Sequence, residues 1–422
     1  MPDPPPAAPA GVGGVSGRGG RTHEQRREMP GTPGNSRLRG GGFSSGAAGR
    51  VRNTGRVAPK LAFSLLCENP RRRTGLTTFF HGFIAEALRQ FPDVRWLLFA
   101  GPEQSWEIND PRVEVVRDFP ANDRRVARLW ADHFRVAPEA KRRGAAALLT
   151  VGFVPLRTAG LPVVMQVFSL HHLRAGGGIG ALYRRVAVAR GLKKAALVIA
   201  NSGWTAAHLE RREQVVVSPE GLDHSGFRPE GPAGGDGLPP RYLLWTANFY
   251  PYKRAELALA AYERLAPELR AQFPLVLAGG DWNGGRARAE TRARELGVAE
   301  QVKFLGWIED AALPALYRGA RALVLPTAEE TFGKSVTEAM ACGCPCVLQE
   351  LPVLREVAKS AALFVEFTNS AAAGEALRRI CTDEALAAEL RVAGLKRAAE
   401  FSYARLARER VTAMLEAVKA TA

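Results

Sequence analysis

The sequence predicts an α/β protein built from two parallel sheets, each flanked by helices. Two observations predict it. Short apolar runs alternate with helical patterns in two successive series, the sign of repeated strand–helix–strand units. Between the series lies PEGPAGGDGLPP, 229–240, whose Pro and Gly content marks a linker. A length of 422 residues suits two cores better than one.

Residues 1–57 are Gly, Pro, Ser and Arg with few apolar side chains. Such a composition cannot bury a core, and disorder is expected there; Met29 is an alternative start. The first domain is expected over 58–230. LAFSLLC (61–67) reads as its first strand, followed by the turn NPRRRTG and a helical pattern from Thr77 to Arg89. WLLFAG (96–101), VEVV (113–116), AALLTVGFV (146–154), PVVMQVF (162–168), ALVIANS (196–202) and VVVSP (215–219) read as further strands, with helices at 123–136, 180–193 and 203–212. The second domain is expected over 241–400. Its strands are YLLWTA, PLVLAGG, VKFLGW and ALVLP, with helices at 255–265, 286–296 and 311–317 between them. Residues 401–422 hold a final amphipathic helix, from Ala404 to Ala420.

Composition excludes several classes. No apolar run approaches the ~20 residues that span a bilayer, and no N-terminal stretch fits a secretory signal. Five cysteines, irregularly spaced, do not make a disulfide framework, so a reducing cytoplasmic setting is expected. The run Cys342-x-Cys344-x-Cys346 lacks a second ligand pair nearby and reads as small residues at a helix-to-strand turn; no metal is expected. The net charge of +16 divides into +6 for residues 1–57, nine Arg against Asp3, Glu24 and Glu28, and +10 for the rest. Basic bodies attract nucleic acid, anionic membranes or anionic substrates. Arg together with abundant Ala, Gly and Pro also follows from GC-rich coding, and composition leaves both open. No basic motif interleaved with aromatics appears, so nucleic acid is not expected as a partner. No Gly-x-Gly-x-x-Gly opens a helix after the first strand, and no Walker lysine motif is present.

The most informative stretch is TAEETFGKSVTEAMACGCPCV, 327–347. It follows a buried strand and feeds a helix, with Glu330 before Phe332-Gly333 and Glu338 at the helix start. The open first turn of a helix points N–H groups at an anion such as a diphosphate. Carboxylates on either side accept hydrogen bonds in pairs and suit sugar diols. Gly333 removes a side chain where a ligand would approach the backbone. Acidic residues near a helix start are also favoured by the dipole alone.

This pattern resembles the donor-site signature of retaining glycosyltransferases of family 4, which have the GT-B fold. Their two Glu are separated by seven intervening residues, as Glu330 and Glu338 are, and x-Phe-Gly follows the first. The resemblance runs from about 58 to 420 and is densest after 240. It implies two Rossmann-like domains facing a cleft, with a C-terminal helix crossing back to the first domain. It also implies transfer of a hexosyl group from a nucleotide-sugar to an acceptor hydroxyl with retention, without a metal or other cofactor. In the family's phosphate loop an Arg and a Lys five residues apart bind the donor diphosphate; here the Lys is Lys253 and the Arg position holds Asn248. By the same resemblance Glu330 and the Phe332-Gly333 backbone hold sugar hydroxyls and Glu338 holds the ribose. Gly75 approaches the phosphates, with Thr74 a weaker candidate, while Trp307 either contacts the base or packs. Asn201, Ser202 and Thr205 resemble a Ser-x-x-Thr segment, and Glu220-Gly221 replaces a usual Asn-Gly. Where many members carry His-Asp touching the transferred sugar, this chain has Phe168-Ser169; His171 or His172 fills that role, or the role is absent. Arg71 to Arg73 face an anionic acceptor or solvent.

The expected acceptor is a glycan or a lipid-linked one in cell-surface polysaccharide or glycolipid synthesis. The protein is expected in the cytoplasm or peripherally on the inner face of an anionic membrane, with the terminal helix contributing to that contact. A GT-B phosphorylase or an epimerase acting on nucleotide-sugars is the nearest alternative.

Overall fold

The computed structural model describes residues 58–68, 75–104, 108–170, 178–209, 214–235 and 237–421. Residues 1–57, Arg71 to Thr74, His171 and His172 lie outside the described residues.

Two all-parallel sheets organise the chain. The first contains β1 (Lys60–Ser64), β2 (Arg95–Phe99), β3 (Val113–Val116), β4 (Ala145–Val151), β5 (Val163–Val167), β6 (Leu197–Ala200) and β7 (Val215–Val217), in the order β3-β2-β1-β4-β5-β6-β7. The second contains β8 (Tyr242–Thr246), β9 (Leu275–Ala278), β10 (Val302–Gly306), β11 (Ala320–Leu325), β12 (Cys346–Gln349) and β13 (Leu363–Val365), in the order β10-β9-β8-β11-β12-β13. Strands such as β5, β8 and β9 are buried along their whole length. Burial on both faces is why they read as unbroken apolar runs rather than as alternation. Strand order reverses between β1 and β4 and again between β8 and β11. Crevices open at such reversals, beyond the carboxyl ends of the strands.

Six helices bear on function: α1 (Gly75–Gln90), α2 (Arg125–Phe134), α3 (Ile179–Lys194), α4 (Leu313–Gly319), α5 (Lys334–Ala341) and α6 (Tyr403–Thr421). The last crosses from the second sheet to the first. Leu406, Ala407, Val411 and Met414 join Phe79, Phe80 and Phe83 of α1 in the core under the first sheet. A Cβ on Gly82 would lie 2.5 Å from the Tyr403 ring, so only glycine admits this approach. Arg410, fully buried, donates to the Gln166 side chain at 2.6 Å and to the Ser218 carbonyl at 2.9 Å. The crossover is therefore as expected, but the apolar stripe of α6 is used inside the fold. It is not the membrane-facing surface that its amphipathy suggests.

Among the described residues no helix is long and apolar enough to cross a membrane. Cys342, Cys344 and Cys346 are buried in the core of the second sheet. Burial pushes the Cys342 and Cys344 thiols up to about 12.

Candidate functional site

Loops at the carboxyl ends of β8 and β11 meet residues of the first domain around a cavity of about 480 Å³. Gly75, Asn248, Lys253, Glu330, Phe332, Gly333 and Glu338 all line it. Seven positions chosen from the sequence, drawn from three separate stretches, thus converge. Trp307 does not line this cavity. It is partly exposed at the end of β10 and packs over Gly280, whose added Cβ would stand 3.3 Å from the indole.

The geometry at each position has a local cause. Lys253 ends a single 3-10 turn, Pro251–Lys253, that leaves β8, and its ammonium forms an ion pair with the Glu330 carboxylate. The two loops are also joined through the backbone, since Ala328 N–H donates to the Tyr252 carbonyl at 2.7 Å. Tyr250 and Tyr252 stack against each other, 5.3 Å between centroids. Asn248 turns its side-chain oxygen toward the neighbouring loop and accepts from Gly280 N–H at 3.0 Å. Its amide thus braces the β9 loop as well as lining the cavity.

Gly333 caps α5 with φ of 92°, a left-handed conformation that glycine adopts without cost. A Cβ there would meet the Leu354 side chain at 2.9 Å. Backbone conformation and core packing therefore both call for glycine at this position, which also lines the cavity. Phe332 is likewise a core residue, edge-on to Phe401 at 5.4 Å, and only its main chain can face a ligand.

Glu338 sits in the second turn of α5 rather than at its start. It is buried and accepts from the Tyr317 hydroxyl at 3.1 Å, and that hydroxyl also meets Thr246 at 3.0 Å. Burial raises the Glu338 pKa above the ordinary carboxylate range. Lys334 and the Tyr317 hydrogen bond oppose the rise, while the carboxylates of Asp310 and Glu220 add to it. The Lys334 ammonium lies 3.6 Å from Glu338, one turn earlier on the same helix. Gly75 opens α1 across the cleft, and an added Cβ would find only the Lys334 ammonium within 4 Å, at 3.8 Å. The site thus holds two Lys–Glu pairs beside the start of α5. There the first intrahelical bond runs from Val336 N–H to the Gly333 carbonyl at 3.0 Å. A second cavity, of about 820 Å³, adjoins it and shares Asp310, Lys334 and Glu338.

Known proteins resemble this chain in sequence over the second domain and in fold over both. Residues 235–397 match the family model described as glycosyl transferases group 1. The second domain belongs to that family. Over 163 residues the chain is 31% identical to O-antigen chain mannosyltransferase B of Escherichia coli, covering 38% of this chain and 42% of that protein. It is 31% identical over 242 residues to a D-inositol 3-phosphate glycosyltransferase of Streptomyces bingchenggensis, 53% of each chain. The chain thus spans about half the length of these curated relatives. Sucrose-phosphate synthase from Thermosynechococcus elongatus superposes with a TM-score of 0.70 at 20% identity, over 86% of this chain and all of that one. The two-domain GT-B fold is shared.

The group 1 domain does not complete the site alone. Ser202 and Thr205 of the first domain donate to the Thr331 carbonyl at 2.7 and 3.1 Å. Asn201 donates to the Thr331 hydroxyl at 3.3 Å, and that hydroxyl donates to the Phe168 carbonyl at 2.6 Å. Thr331 therefore latches the loop of the group 1 domain onto the first sheet, between Glu330 and Phe332. Sequence reasoning missed Thr331 and Lys334. Thr331 gave no signal, because its partners lie 126 to 163 residues away. Lys334 did: it is the first residue of α5, and a cation there opposes the helix dipole. A placement that is locally unfavourable is a reason to look for an anion.

Proposed function

We propose that the protein transfers a hexosyl group from a nucleotide-sugar to an acceptor hydroxyl with retention of configuration, as a family 4 glycosyltransferase. The observation that carries the reading is the pair of Lys–Glu contacts in one interdomain cavity, beside the N-terminal turn of an eight-residue helix. A nucleotide-sugar presents a dianionic diphosphate between two diols. Lys253, Lys334 and the first turn of α5 match the diphosphate, and Glu330 and Glu338 match the diols.

In this reading Glu338, held by Tyr317, accepts from the ribose hydroxyls, and Glu330 with the Phe332-Gly333 backbone orients the transferred sugar. Lys253 and Lys334 offset the charge that grows on the diphosphate as the glycosidic bond breaks, a role that lowers the barrier when the cations are already in place. The departing phosphate oxygen takes the acceptor proton. Cationic side chains rather than a metal ion meet the diphosphate. Lys334 also supplies the charge that Asn248, standing where the family pattern has Arg, does not. The likeness to an O-antigen mannosyltransferase supports a polysaccharide or lipid-linked glycan acceptor, and the proposal places it at the inner face of a membrane.

The test is turnover by the full chain with a panel of nucleotide-sugars and lipid-linked or oligosaccharide acceptors. Acceptor-dependent release of one nucleoside diphosphate, with the donor's anomeric configuration kept in the product, supports the proposal. Inverted configuration refutes retention, and no release from any donor refutes the activity.

A further inference from the structure

The first domain exposes apolar side chains where a water-facing helix would carry polar ones. On α2 these are Val126, Trp130 and Phe134, and on α3 Ile179, Leu182 and Val186. The spacings are i, i+4, i+8 and i, i+3, i+7, so each set forms one stripe along its helix. Val126 is 83% exposed and Ile179 89%; neither is the margin of a buried face.

The two stripes belong to one surface. The Tyr183 hydroxyl of α3 lies 2.6 Å from His133 Nε2 of α2. Leu156, 54% exposed, sits on a loop tied to both helices. Arg157 N–H donates to the His133 carbonyl at 3.0 Å, and Arg190 donates to the Val154 carbonyl at 2.8 Å. Seven of the eleven large apolar side chains exposed among the described residues lie in these three segments. Such a concentration marks a docking surface.

Charge selects the occupant. α3 carries Arg184, Arg185, Arg190, Lys193 and Lys194 and no acidic residue. Arg124 and Arg125 are exposed at the start of α2, and its one acid, Asp132, is buried and paired with Arg128 at 3.0 Å. A second copy of this chain, at +16, has the same sign, as do residues 1–57. Apolar stripes among cations instead fit a layer with an anionic surface and an apolar interior.

We propose that the α2–α3 face docks on an anionic lipid bilayer, with Val126, Trp130, Phe134, Ile179, Leu182 and Val186 entering the interface and the flanking arginines meeting lipid phosphates. The proposal deepens the reading of a membrane-held acceptor, but the docking does not depend on sugar transfer. A cavity of about 260 Å³ between the two helices shares Phe168 and Ser169 with the interdomain cavity. An acceptor carried in the membrane would thus stand at the entrance to the transfer site.

Co-sedimentation of the full chain with lipid vesicles tests it. Wild type should bind phosphatidylcholine vesicles containing about one third phosphatidylglycerol, bind pure phosphatidylcholine at least ~10-fold less, and lose binding as salt rises. Trp130→Glu with Leu182→Glu should cut binding to the anionic vesicles ~10-fold or more at unchanged Tm. Arg125→Gln with Arg184→Gln and Arg185→Gln should weaken binding and flatten its salt dependence. No binding to anionic vesicles at low salt overturns the proposal, as do variants that bind like wild type. A wild-type dimer in light scattering that the Trp130→Glu/Leu182→Glu variant converts to monomer also overturns it, in favour of a second copy. Because none of these readouts uses turnover, an inactive enzyme that binds vesicles, or an active one that does not, separates this inference from the proposed reaction.

Discussion

The two domains bring different chemistry to the same cleft. The group 1 domain brings charge: Lys253, Glu330, Lys334 and Glu338, all on or beside loops at the strand ends of the second sheet. The first domain brings mainly neutral groups, Ser202, Thr205, Asn201 and the Phe168 carbonyl, and they hold Thr331 rather than open space. One half supplies the charged side chains of the cavity, and the other fixes the loop that carries Glu330. Charged residues facing a ligand must recur in a fixed pattern, and so they show in sequence. Neutral latches are satisfied by many residue types, and so they do not.

The contrast between the domains should be largest at Lys253. Its effect should be larger in the transition state than in the ground state, because diphosphate charge grows as the bond breaks. Lys253→Ala should therefore lower kcat on the order of 10²-fold, by analogy with loss of one oxyanion donor. Steady-state kinetics showing normal kcat would remove Lys253 from the reacting end of the cavity.

Glu338 should act on binding instead. Glu338→Ala removes charge-assisted hydrogen bonds worth roughly 1.5–3 kcal/mol each, so nucleoside diphosphate affinity measured by calorimetry should fall about 10- to 100-fold. Unchanged affinity would mean that its carboxylate serves only Tyr317 and Lys334.

Lys334→Met should weaken diphosphate binding about 10-fold, the scale of one charged hydrogen bond. Adding Asn248→Arg to that variant should restore part of the loss, since Arg presents a forked donor to phosphate. A double variant no better than the single one would show that position 248 faces the β9 loop, where its side chain already bonds Gly280, and not the phosphates.

Thr331→Val keeps the shape and removes the hydroxyl that joins the domains. Turnover should drop a few-fold, with KM for the donor rising, because about 1 kcal/mol of loop positioning is lost. Deleting residues 1–57 should change neither Tm nor kcat, since that composition cannot bury a core. A truncated chain that precipitates would give those residues a part in the fold.

Much of the architecture was legible because parallel strands buried on both faces leave apolar runs that cannot be mistaken for loops. β13 was not, being three half-buried residues at a sheet edge, and the helices between 352 and 398 were not assigned either. In the site, Glu330, Glu338 and Gly333 stood out by their pattern around a helix start, and Lys253 by resemblance to a phosphate loop. The further reasons for Gly333 were not legible, because a positive φ and the approach of Leu354 are invisible in a string of letters. The stripe on α6 was misassigned for a related reason: amphipathy shows that a face is covered, not by what. The same pattern on α2 and α3 is left bare by the fold, a distinction only the structure could draw.

The proposed function requires that the cations of the group 1 domain hold a diphosphate in the interdomain cavity. Calorimetric titration of nucleoside diphosphates into wild type and into Lys253→Ala/Lys334→Met tests it directly. One nucleoside diphosphate should bind wild type, and the double variant should lose about 100-fold or more in affinity, two charged contacts at once. A double variant that binds as tightly as wild type, or a wild type that binds no nucleoside diphosphate, would contradict it.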